Sequence, residues 1–577
     1  MTLALTLRVS EVRLQAIVLE SRTMDAKRGR EIGRARLLPS QKRQRMAIKD
    51  TLYSGGLKGE MQDFLPTGDE RFVLSADAIL RDESHYQRKG LYFVFLSRTN
   101  FLRCVDEVAF KLLLFLAKPR GYSDLKQRYF ALCHQTDMAP DERELLLFLA
   151  ALLEGEVVDV VESDEAIRLP KLPSLERPSF PSPYEPFSFP IHVSLVLTGR
   201  CNLFCRHCMA AFYPRTWLTL EQLSDIFEQL DEGGVFSLKL TGGEPMLYPQ
   251  FWEVLELATS HRFSVGLLTN LTLLSDEGVE RLSEIAKRKG YGFIIGTSLD
   301  GADAETHEWM RRVKGSFEKT LRAMRLLKEA KVPFIVQCSL NQRNKTQIFE
   351  IARLCHEHGA RTVYFLVPCQ LGRANTELEP MPLDEIFAIR DQVEKLRKET
   401  GWWIEFDPRH IPMHGASNGG VAASDSMEVV DFPPRCCPAG ITVLAISATG
   451  KVYPCIDTMD SPLVEMGDVT RGRIFEIWQS ERWNFFRGGL DERQLQRKGC
   501  KGCPWFARCG YKFCRAYPAA SSGDLYAAKP ECLIYRQDLK RNFAKAMRVV
   551  KGNGQGVLSS GVFDLKRHSE HFIRLEE

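Results

Sequence analysis

The chain has 577 residues, 44% hydrophobic and 26% charged, which is enough to bury several cores, so two to four domains are expected. A formal net charge of +4 is too small on this length to mark nucleic acid or a membrane as the main partner. No apolar run reaches the ~18 residues that span a bilayer, and the first residues lack the basic, apolar and small order of a secretory signal, so a cytoplasmic protein is expected.

The basic excess sits in residues 1–65, where scattered Arg and Lys show weak periodicity and a poorly ordered segment is expected. Residues 66–165 read as a small α+β unit. "LYFVFLS" and "FLRCV" look like paired strands, and "DEVAFKLLLFLAK" has the apolar density of a core helix opened by Asp106. Helices around "YSDLKQRYFAL" and "DERELLLFLAALLEG" and a closing "EVVDVV" complete a winged-helix pattern. Proline punctuates residues 166–190, predicting an extended linker. From residue 191 to 380 six apolar strand candidates alternate with helices, from "HVSLVLT" to "TVYFLVP". The fold class predicted is therefore α/β, with a partial (β/α)6 barrel like a TIM barrel and its ligands at the carboxyl ends of the strands. Residues 381–435 bridge to a cysteine-rich region at 436–540, and 541–577 form a tail.

Sixteen cysteines without a secretory signal point to metal rather than disulfides. Cys201, Cys205 and Cys208 follow the first barrel strand in "CNLFCRHC". Zinc would need His207 as a fourth ligand, but it adjoins Cys208 in one tight loop, where both side chains can hardly converge on one tetrahedron. Three thiolates on a [4Fe–4S] cube leave one iron open to a small molecule.

The C-x3-C-x2-C spacing of that segment resembles the radical S-adenosylmethionine (radical SAM) superfamily, in which an aromatic residue, here His207, precedes the last cysteine. "TGGEP" follows at the second strand, so Gly242, Gly243 and Glu244 match the family's SAM-binding Gly-Gly-Glu-Pro motif. The resemblance gives Ser298 the SAM ribose and Arg311 its carboxylate, with Arg312 as a neighbouring alternative, and extends to Asn341 and the "GRA" at 372–374. It implies that SAM chelates the open iron and is split by an electron to methionine and a 5′-deoxyadenosyl radical, the protein positioning the cofactor and excluding water.

The later cysteines resemble the SPASM extension, which holds two auxiliary [4Fe–4S] clusters. By that resemblance Cys437, Cys455 and Cys514 hold the first, with Cys436 a possible fourth ligand, and Cys500, Cys503, Cys509 and Cys532 hold the second. Zinc ribbons remain the competing reading of this spacing.

Residues 75–162 are similar to the RiPP recognition element, a winged-helix unit that grips a precursor's leader peptide along a sheet edge. Together these resemblances imply an oxidoreductase that crosslinks a ribosomally made peptide through a thioether or carbon–carbon bond, served by an electron donor such as flavodoxin or ferredoxin. The front unit is expected only to hold substrate, so its removal should spare SAM cleavage. An anaerobic sulfatase maturase is the alternative enzyme. A zinc-dependent nucleic-acid-binding protein is the alternative of another class.

Overall fold

The computed structural model describes residues 70–83, 92–136, 138–161, 186–407, 437–459, 461–487, 491–503, 506 and 514–534. The basic segment, most of the proline-rich stretch and of the bridge, the tail, Cys436 and Cys509 lie outside the described residues.

The N-terminal unit holds two small antiparallel sheets. Strand β1 (Arg71–Leu74) lies between the later β5 (Arg120–Gly121) and β6 (Val158–Val161), while β2 (Ala78–Asp82), β3 (Tyr92–Leu96) and β4 (Phe101–Val105) form a meander with β4 at one edge. Asp106 caps helix α1 (Glu107–Phe115) by accepting from the Ala109 amide, as its position before an apolar run predicts. Helices α2 (Tyr122–Gln135) and α3 (Glu142–Glu154) follow.

The meander is apolar on both faces because both are covered. Leu80, Val94 and Val105 face a core shared with α1 to α3, and Ile79, Phe93 and Phe95 face Phe187 of the expected linker, Phe236 of the barrel and Ile441 of the cysteine-rich region. Arg81 and Glu83, 1% and 0% exposed, lie within that second interface. Arg81 donates to Glu83, to the Ser188 hydroxyl and to the carbonyls of Phe189, Pro190 and Gly234, while Glu83 accepts from the Ser188 amide and hydroxyl. The last residues of the expected linker, 187–190, are thus buried and pinned, and the front unit is a structural part of the barrel's base.

The six expected barrel strands form as β7 (His192–Val196), β8 (Ser237–Thr241), β9 (Ser264–Leu268), β10 (Phe293–Ser298), β11 (Phe334–Ser339) and β12 (Val363–Leu366), all parallel neighbours. The sheet then extends beyond them. Strand β13 (Ile404–Asp407), within the expected bridge, adds parallel to β12, and β14 (Val443–Ile446), within the cysteine-rich region, adds parallel to β7. An antiparallel continuation through β15 (Lys451–Tyr453) and β16 (Gly467–Asp468) fuses that region to the barrel. One apolar core runs from the barrel to Trp478, Trp483 and Ala519. The helix Leu220–Glu232 starts with a capping box of Thr219 and Gln222.

Candidate functional site

The sequence-predicted barrel residues gather at the carboxyl ends of successive strands, where parallel α/β sheets place ligand-binding groups. The three-cysteine loop follows β7, Glu244 follows β8, Ser298 ends β10 and Asn341 follows β11. The loop is tied down mostly by its backbone. The Phe204 and Arg206 amides donate to the carbonyls of Arg311 and Met310, and Arg373 donates from its amide to the Cys208 carbonyl and from Nε to that of Cys205. Cys201 is exposed, Cys205 buried and Cys208 half-buried. Burial, helped by the charge of the neighbouring Cys205, pushes the half-buried Cys208 thiol up. Such thiols stay protonated unless a metal takes the place of the protons.

The glycines of "TGGEP" serve close approach of backbone to backbone. A Cβ on Gly242 would stand 2.4 Å from the Thr198 carbonyl oxygen, and one on Gly243 2.3 Å from that of Arg200. This lets the Gly243 and Glu244 amides donate at 2.7 Å to those same carbonyls, fastening the end of β8 to the cysteine loop. The Glu244 carboxylate is 1% exposed and accepts from the Thr269 hydroxyl (2.7 Å) and from the amides of Asn270 (2.8 Å) and Met246 (3.0 Å). It therefore clamps β8 to β9. Burial raises its pKa, against the pull of these three donors.

Arg311 is turned onto groups of the chain itself. It is 7% exposed, with Nε 2.6 Å from Asp300 Oδ2 and Nη1 3.7 Å from Cys205 Sγ, so its guanidinium is engaged by a carboxylate and a thiol of the chain itself. Arg312 pairs with Glu377. Asn341 turns inward on its own loop, donating to the Ser339 carbonyl and accepting from the Arg343 amide. Ser298 is half-buried in register with Gln337 of β11, and the charge of half-buried His207 acts on Asp300.

Sequence reasoning missed Asp300, His307 and Asn344. Asp300 is 0% exposed; burial would raise its carboxyl, but Arg311 and the two histidines outweigh this and hold it below the usual carboxylate range. His307 accepts at Nδ1 from the Asp300 amide, and burial together with Arg311 lowers it to about 4, so it is neutral. Asp300 lies within "SLDG" at 298–301, yet nothing local marks its partner eleven positions on.

In the C-terminal region Cys437 is pushed well up by the neighbouring Cys514 and by burial, and Cys455 is pushed up by burial and the charges of Asp457 and Cys514. The Cys503 amide donates to the Cys500 carbonyl, and the Gly499 amide donates to that of Tyr526, drawing the chain before Cys532 alongside. The thiols of Cys201, Cys205 and Cys208 are thus neighbours, as are those of Cys437, Cys455 and Cys514. Thiol donors in threes suit the corners of iron–sulfur cubes.

Residues 195–355 match the family model of the radical SAM superfamily, and residues 436–504 that of SPASM, an iron–sulfur cluster-binding domain. The chain belongs to the radical SAM superfamily and carries a SPASM domain; it is an enzyme whose cofactors are S-adenosylmethionine and [4Fe–4S] clusters, auxiliary ones included. It is 30% identical over 355 residues to an AdoMet-dependent heme synthase of Methanosarcina barkeri, which covers 60% of this chain and 96% of that one. It is 25% identical over 408 residues to the antilisterial bacteriocin subtilosin biosynthesis protein AlbA of Bacillus subtilis (67% and 84%). With the mycofactocin maturase MftC of Mycolicibacterium smegmatis it shares 27% over 356 residues (60% and 83%). In fold it is similar to Streptococcus suis SuiB bound to the precursor peptide SuiA, at a TM-score of 0.56 and 14% identity over 80% of this chain and 98% of that one. Among the described residues no helix is long and apolar enough to cross a membrane.

Proposed function

We propose that this enzyme matures a ribosomally made precursor peptide by a net two-electron oxidation that closes a thioether or carbon–carbon crosslink. The observation that carries this reading is the N-terminal unit. It presents β4 as a sheet edge and is locked onto the barrel, an arrangement suited to holding a leader as an added strand while the core peptide reaches the carboxyl ends of the barrel strands. The peptide-maturing relatives support it. A heme-synthase-like activity accounts only for the barrel and SPASM regions, since that relative leaves two fifths of this chain without a counterpart.

In this reading Cys201, Cys205 and Cys208 hold the SAM cluster, Cys437, Cys455 and Cys514 the first auxiliary cluster, and Cys500, Cys503, Cys509 and Cys532 the second. The bound cluster and SAM supply hydrogen-atom abstraction; auxiliary clusters suit the second electron's departure. Gly242 and Gly243 shape the loop that faces SAM, and Glu244 keeps that loop in register with β9. A flavodoxin- or ferredoxin-type donor supplies electrons.

Two measurements test the proposal. Anaerobically purified protein should carry about twelve irons per chain, and replacing Cys201, Cys205 and Cys208 together by Ala should remove about a third of them and abolish SAM cleavage. With its cognate precursor, SAM and a strong reductant, the enzyme should release 5′-deoxyadenosine and a peptide lighter by two hydrogens. A product of unchanged mass carrying one solvent deuterium would replace crosslinking with epimerisation.

A further inference from the structure

We infer that Arg311, held by Asp300, is a positioning residue that donates to Cys205 and sets the reduction potential of the cluster at the three-cysteine loop. The inference rests on the reading that Cys201, Cys205 and Cys208 hold that cluster. Arg311 is sunk beneath the loop, its Nε on Asp300 and its Nη1 on the Cys205 sulfur.

Asp300 cannot follow it outward, because it is fixed from three further directions. Its Oδ1 accepts from the Ser339 amide at 2.8 Å, its carbonyl accepts from Asn344 Nδ2 at 3.0 Å, and its amide donates to His307 Nδ1 at 3.2 Å. Asn344 is itself 0% exposed and also holds the Asn341 amide and the Ser339 carbonyl, so the carboxylate is anchored to the ends of both β10 and β11. If Arg311 left, a carboxylate with no exposure would remain without its cation, which strongly opposes the movement.

Reduction adds an electron to a thiolate-bound cube, and a buried cation bonded to one of its sulfurs favours the reduced form. Charge and hydrogen bonds to sulfur are established determinants of such potentials. Asp300 offsets part of that cation, so the two residues act with opposite sign.

The test is an EPR-monitored redox titration of the reconstituted holoenzyme without SAM, following the signal that the Cys201, Cys205 and Cys208 triple variant lacks. Persistence of every cluster signal in that triple variant would refute the cysteine assignment itself, separately from the inference. Asp300→Asn leaves the cation uncompensated and should raise the reduced-to-oxidised ratio at a fixed potential roughly tenfold, 59 mV for one electron. Arg311→Gln should lower that ratio by a similar factor, and Arg311→Lys should stay within about threefold of wild type. The inference is overturned if Asp300→Asn and Arg311→Gln move the ratio in the same direction, or leave it unchanged while Arg311→Gln weakens SAM binding tenfold. Loss of the cluster from all three variants would make the pair a scaffold and overturn it as well.

Discussion

At the scale of single residues, the ground beneath the cysteine loop is polar and yet closed to water. His307 is 1% exposed, and burial, together with Arg311 repelling a second positive charge, keeps it neutral, its Nδ1 accepting from the Asp300 amide. Its folded pKa of about 4 lies below the ordinary value of 6.5, so the folded state binds fewer protons than the unfolded chain between those limits. Stability from this group is therefore fully present above about pH 6.5 and falls as pH drops towards 4. Between pH 7.5 and 5.5 the loss should be roughly 1.3 kcal/mol. His307→Asn keeps an acceptor for the Asp300 amide but does not titrate. Urea denaturation at the two pH values should show the wild type losing about that much more than the variant, and equal losses would remove His307 as the cause.

At the scale of elements, legibility in the sequence follows burial. Strands β7 to β12 are parallel and covered on both faces, so each reads as an apolar run between helices, and the cysteine loop, which directly follows the first of these runs, reads from spacing alone as lying at the functional end. Strands β13 and β14 are not legible as barrel strands, because what defines them is pairing with β12 and with β7 across long stretches of chain. The "AILRD" of β2 hides for another reason. Its Arg81 looks like a solvated charge in sequence and becomes an interior one only when residues 187–190 and Gly234 surround it. Local spacing likewise reveals the motif glycines and cysteines but not the Asp300 and Arg311 pair, which closes only when the helix Ala304–Arg311 folds back under the loop. The meander carries its own expectation. Its edge strand β4 abuts the end of α3, where Thr99 donates to the Gly155 carbonyl and a Cβ on Gly155 would strike the Phe101 ring. A leader added along β4 should slow amide exchange across residues 101–105, while residues of the buried central strand β3 stay as they were. Exchange unchanged at 101–105 in the presence of saturating precursor would move the leader elsewhere.

At the scale of the molecule, the front unit, the barrel and the cysteine-rich region share interfaces that none can lose cheaply. The sequence-based expectation that residues 1–165 merely hold substrate, and can be removed without harm to SAM cleavage, conflicts with the packing. Their removal would uncover Phe187, Phe236 and Ile441 and leave the carbonyls of Phe189, Pro190 and Gly234 without the Arg81 donor. A point substitution asks the question more cleanly. Arg81→Met removes the cation and leaves Glu83 buried beside Ser188 without its counter-charge, which should destabilise the enzyme by roughly 3–5 kcal/mol. Thermal unfolding should fall accordingly, and amide exchange should rise together in β2 and at residues 187–190, because one residue holds both. The double variant Arg81→Met with Glu83→Leu replaces the pair by apolar volume and should recover most of the loss, since a buried ion pair is worth little over a well-packed apolar one. An Arg81→Met enzyme as stable as the wild type would show that the front unit is a separable module, and the truncation of residues 1–165 would then retain SAM cleavage.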